Sequence, residues 1–92
     1  MSQDAKKLLT SAQIRAARAL VRWSAADLAR QSSVSLRTIR RAELAEHGTN
    51  VTIANDLAIR RALEAAGVEF IEGNGGGAGL RLRKASQEGK RK

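Results

Sequence analysis

Ninety-two residues with no cysteine and no proline make one small domain and exclude disulfides and thiolate metal sites. Trp23 and Phe70 are the whole aromatic content, too little for a stacking platform that grips single-stranded nucleic acid. No apolar run is long enough to cross a bilayer and no charged-then-apolar leader opens the chain, so the expectation is a cytoplasmic protein with no membrane partner.

The net charge of +8 is unevenly placed: residues 11–42 balance at +6, residues 43–79 at −4, residues 80–92 at +5 and the first ten at +1. A basic half, an acidic middle and a basic tail describe a polarised molecule. Arginine gathered in one half is what attraction to phosphates requires.

In chain order, residues 1–9 read as a disordered N-terminal segment. Thr10 and Gln13 have capping-box spacing, with Leu9 and Ile14 placed as a hydrophobic staple. They predict a first helix from Ser11 to about Arg22, with Ile14, Ala17, Leu20 and Val21 on one face and Trp23 packed behind it. Ser24 and Asp27 cap a second, short helix whose inward residues are Leu28 and Ala29. Gln31-Ser32-Ser33 breaks the pattern and Val34 plugs the turn. Ser35 then caps a third helix from Leu36 to about Leu44, with Ile39 and Ala42 inward and Arg37, Arg40 and Arg41 along its length. Short helix, turn of about four residues, second helix: this is the helix-turn-helix unit, whose second member enters the DNA major groove.

Residues 44–51 read as a connection. Thr52 is the expected cap of a helix to Ala66 with Gly67 closing it, and Ile53, Leu57, Ile59, Ala62, Leu63 and Ala66 give that helix a wide apolar surface or a break near Asn55. Val68–Ile71 and Leu80–Arg83 alternate apolar and polar residues, the signature of a β-hairpin across a glycine-rich connector. That connector lacks the Lys-Ser/Thr of a phosphate-cradling loop. A lone hairpin is marginal in water, so Val68, Phe70, Leu80 and Leu82 must cover the preceding helix or meet a second copy. The organisation is thus 1–9 N-terminal segment, 10–67 helix-turn-helix domain, 68–84 hairpin and possible dimerisation element, and 85–92 disordered basic tail.

Trp23-Ser24, Asp27-Leu28-Ala29, Val34-Ser35 and Thr38 to Glu43 resemble the lambda-repressor-like (Cro/Xre) helix-turn-helix family, over about Ile14 to Phe70. Two family features are absent. Ser33 stands at the usual left-handed turn glycine, and Ala25 replaces the glutamine that opens the first helix of the pair. The resemblance implies a mainly α fold, a four- to five-helix bundle with the C-terminal β-hairpin appended. It also implies a sequence-specific regulator of transcription, a repressor acting as a homodimer on an inverted repeat of double-stranded DNA. By residue-to-residue likeness, Leu36, Arg37 and Arg41 face bases, and Ser24, Ala25, Ser35, Thr38 and Arg40 face phosphates. Arg18 matches an arginine that pairs with the glutamate closing the reading helix, here Glu43.

An enzyme is not expected. His47 is the single histidine, no nucleophile has a plausible base, and Asp56 and Glu64 are eight residues apart on one helix, so no catalytic residue, metal or cofactor is assigned. The alternatives are an antitoxin that holds a basic toxin through the acidic middle or the hairpin while regulating its own promoter, and a non-specific architectural or RNA-binding protein.

Overall fold

The computed structural model describes residues 8–46, 48–72 and 77–83. His47, the glycine connector from Gly73 to Gly76 and the tail from Lys84 onward lie outside the described residues, as do the first seven. Four helices and one hairpin follow in order: α1 Ser11–Val21, α2 Ala25–Ser32, α3 Leu36–Leu44, α4 Ile53–Ala65, β1 Val68–Ile71 and β2 Gly79–Leu82.

Helix α1 starts where the capping box places it. The Gln13 N–H donates to Thr10 Oγ1 at 3.0 Å, and the Thr10 N–H donates back to Gln13 Oε1 at 3.0 Å. It ends at Val21, one residue early, because Arg22 takes a left-handed conformation at φ 58°. The Arg22 and Trp23 N–H groups then close the helix onto the carbonyls of Ala19 and Arg18. Leu9 corrects the expectation of a disordered start through residue 9. Its side chain is buried and its N–H donates to both carboxylate oxygens of Asp56 at 3.3 Å, so the chain is anchored before α1 begins.

In α2 the Ser24–Asp27 capping box forms in both directions. The helix runs on through Ser32 and stops at Ser33, which holds the left-handed position at φ 62°. Ser32 explains how the turn closes without glycine: its buried hydroxyl donates to the Leu28 carbonyl at 2.7 Å and accepts the Val34 N–H at 3.2 Å. A left-handed non-glycine residue costs about 1–2 kcal/mol, and glycine's extra freedom in the unfolded chain gives back part of the relief. Ser33→Gly is therefore expected to stabilise the fold by about 0.5 kcal/mol. A denaturant midpoint that fell instead would show Ser33 to be unstrained.

The core is Leu9, Ile14, Ala17, Leu28, Val34, Ile39, Ala42, Ile59, Leu63 and Val68, so every element except β2 places at least one fully buried side chain there. Helix α4 is continuous through Asn55, capped by Thr52 and closed by Gly67 at φ 111°. Its apolar surface is narrower than expected. Ile59 and Leu63 are buried, whereas Ile53 is 64% exposed, because it occupies the first position of the helix beyond the edge of the bundle.

The hairpin pairs antiparallel with Val68 opposite Leu82 and Phe70 opposite Leu80. It lies against α1 and α4. Val68 is buried, Phe70 and Leu80 pack at the core margin, and Leu82 stays about half exposed at the end of the sheet. Gln13 Nε2 donates to the Gly79 carbonyl at 3.2 Å and fastens β2 to α1. Among the described residues no helix is long and apolar enough to cross a membrane.

Candidate nucleic-acid interface

Helix α3 forms because Ser35 caps it: the Thr38 N–H donates to Ser35 Oγ at 3.1 Å, and the Ser35 hydroxyl donates to Thr38 Oγ1 at 2.9 Å. At about 3.6 residues per turn, Ile39, Ala42 and Glu43 share the inward face, where all three are buried. The opposite face carries Arg37, Arg41 and Leu44 in one row, at spacings of four and three residues, with Arg40 alongside. All four are exposed, and among the described residues no ion pair engages any of the three arginines. Leu36 is half-buried at the first position of the helix and turned away from the centre of that row.

The helix is held rigidly from behind. Arg18 Nε and Nη2 donate to the two Glu43 oxygens at 2.6 and 2.9 Å, and Arg18 Nη1 donates to the Trp23 carbonyl at 2.9 Å. Hydrogen bonding to Glu43 raises the Arg18 guanidinium above its ordinary pKa, against the opposing effect of burial. Two further bonds take up carbonyls at the C-terminal end of α3: Ser11 Oγ donates to Ala45 O at 2.9 Å and Arg15 Nη1 to Glu43 O at 3.4 Å. These two were missed from sequence, since a serine and an arginine on a helix surface announce no partner 28 or 34 residues away.

Of the groups matched to phosphate contacts, all but Arg40, which lies midway along α3, fall at two helix starts. Ser24 and Ala25 open α2, and Ser35 and Thr38 open α3. The two starts are not equivalent. At α2 the Ser24 N–H is taken by Asp27, whose carboxylate is held below the usual range by that hydrogen bond and by Arg30. An ionised Asp27 occupies part of the positive end of α2 and leaves the Ser24 hydroxyl proton and the Ala25 N–H for an anion. Helix α3 has no acid in its first turn. Among the described residues no three of His, Cys, Asp and Glu gather where they would hold a metal ion.

The geometry is therefore a short rod with two guanidinium groups one turn apart on its open side and an apolar and ionic clamp on the other. No protein-family model and no curated protein matches the chain.

Proposed function

We propose that this chain is a lambda-repressor-like regulator of transcription that binds double-stranded DNA in a sequence-specific way, α3 lying in the major groove. The observation that carries this reading is the row of Arg37 and Arg41 on the open side of α3, exposed and without an acidic partner among the described residues. Each guanidinium can donate two hydrogen bonds to guanine O6 and N7, and Leu36 can pack on a thymine methyl from the helix start. Arg40, beside the row, with the hydroxyls of Ser24, Ser35 and Thr38 and the Ala25 N–H, would set the register on phosphates.

The antitoxin reading leans on the acidic middle of the chain or on the hairpin, and the acidic middle has less to offer a partner than its composition implies. Glu43 is engaged by Arg18, Asp56 by Leu9, Glu64 by Arg60 and Glu69 by Arg81.

Selection of bound duplexes from a random pool is the test, with an enriched inverted repeat rich in guanine at the positions facing α3 as the expected result. On that repeat, Arg37→Ala is expected to cost about 1–3 kcal/mol and to relax discrimination at one base pair. An equal loss on every duplex would make Arg37 a phosphate ligand, and a pool without enrichment would remove the regulator reading.

A further inference from the structure

Leu44 is 81% exposed, the most exposed large apolar side chain among the described residues. The other exposed ones stand elsewhere: Leu8 before α1, Leu20 on α1, Ile53 at the start of α4, and Ile71 and Leu82 on the hairpin. Leu44 alone of these belongs to α3. At about 3.6 residues per turn, Arg37, Arg41 and Leu44 lie within about 60° of one another around the helix axis, opposite the buried Ile39, Ala42 and Glu43. The residues on either side of Leu44 are tied down. The Glu43 carboxylate is held by Arg18 at 2.6 and 2.9 Å, the Glu43 carbonyl accepts from Arg15, and the Ala45 carbonyl accepts from Ser11 at 2.9 Å. The leucine therefore stands on a fixed support, in the row that carries the guanidinium groups.

We infer that Leu44 reads the C5 methyl group of a pyrimidine in the major groove, that of thymine or of 5-methylcytosine. The inference rests on the DNA-binding reading above and deepens it by adding a base position that Arg37 and Arg41 do not cover. The major-groove edges of paired bases carry hydrogen-bond donors, acceptors and one apolar group, the C5 methyl. Methylated cytosine presents the same group at the same ring position, beside an amino donor where thymine has a carbonyl. A leucine side chain makes no hydrogen bond, so the methyl group is the one feature of a base edge that it favours over water. The arginines fix the register on guanine, and the leucine discriminates at a neighbouring step.

The spacing says which step. Along the axis, Leu44 stands about 4.5 Å past Arg41 and about 10.5 Å past Arg37. Base pairs are spaced by about 3.4 Å, so the methyl group belongs one step beyond the guanine read by Arg41, away from the guanine read by Arg37. This contact is distinct from that of Leu36, which is half-buried off the row and about 12 Å back along α3. A methyl group withdrawn from water is worth about fourfold in affinity, enough to measure at a single base.

The test remakes the duplex recovered by selection with one pyrimidine changed in one half-site, at the base pair next to the guanine whose discrimination Arg41→Ala relaxes. Affinity is expected to fall about fourfold from thymine to deoxyuridine there, and by the same factor from 5-methylcytosine to cytosine. Leu44→Ser is expected to bring both ratios close to unity and to leave the melting temperature unchanged, because an 81% exposed side chain supports no packing. A ratio carried by thymine alone makes Leu44 a reader of sequence, and one carried by both bases makes binding responsive to cytosine methylation as well. Ratios of unity at every pyrimidine facing α3, or a ratio that persists in Leu44→Ser, overturn the inference and leave the DNA-binding reading in place. A selection that enriches no duplex takes both down together.

Discussion

Glu43→Ala is expected to lower folding stability by about 2–4 kcal/mol. Glu43 is 8% exposed and takes two hydrogen bonds from Arg18, so its removal strands a guanidinium that keeps the Trp23 carbonyl alone. Breaking a buried pair at one end costs about 3–5 kcal/mol when the remaining charge has no access to water. The Arg18 side chain is 24% exposed, and that partial solvation sets the lower range expected here. Arg18→Ala should cost as much or more, since the Glu43 side chain it leaves is only 10% exposed. Replacing both with apolar residues of similar volume should recover most of the loss, because no buried charge is then left over. Denaturant midpoints of the three variants measure this directly, and a loss under about 1 kcal/mol in each would reduce the pair to an ordinary surface bridge. The pair also bears on function. It joins α1 to the last turn of α3, so a folded Glu43→Ala protein presents Arg41 and Leu44 on a looser support and should bind duplex more weakly than its folded fraction explains.

Local chemistry made much of this architecture readable. Thr10, Ser24, Ser35 and Thr52 each cap a helix where the spacing of hydroxyl, amide and apolar residues placed it. Ser33 holds the left-handed turn although it carries a Cβ, because the geometry of two packed helices outweighs a cost of about 1–2 kcal/mol. The outward placing of Arg37 and Arg41 on α3 came from the family resemblance, which set Leu36 with them although it lies half-buried off the centre of that row. Leu44 continues it one turn on and was overlooked, since a leucine at a helix end reads as core. The least legible features were long-range polar ones. That the N–H of Leu9 would find Asp56, 47 residues away, has no local signature, and Asp56 by itself reads as an acid near a helix start. The trace it does leave is the spacing of Asp56, Arg60 and Glu64, two successive steps of four along one face of α4.

Asp56 supplies the other large effect. The residue is 1% exposed, and its carboxylate accepts the buried Leu9 N–H and the Thr49 hydroxyl and lies near Arg60, whose guanidinium sits 5.1 Å from the centre of the Phe70 ring. Asp56→Ala leaves the Leu9 N–H buried without an acceptor and removes a negative charge beside a buried arginine. A stranded buried donor alone costs about 1–3 kcal/mol, so the expected loss is about 2–4 kcal/mol. Burial pushes the Asp56 pKa above its ordinary 3.8, with the Leu9 N–H, Arg60 and Thr49 opposing the shift. A folded-state pKa above the unfolded one means that the native protein binds the extra proton between the two values. The stability from this group is therefore greatest in acid and declines as pH rises from about 3.8 through the folded pKa, level thereafter. This is opposite in sign to a carboxylate held by a backbone N–H and an exposed cation, such as Asp27 with Ser24 and Arg30. Asp56→Asn keeps an acceptor for Leu9 and does not titrate. The difference in stability between wild type and Asp56→Asn should thus shift against the wild type as pH is raised through that window. A difference that stayed constant, or moved toward the wild type, would mean that the paired charges of Asp56 and Arg60 outweigh the burial of the carboxylate.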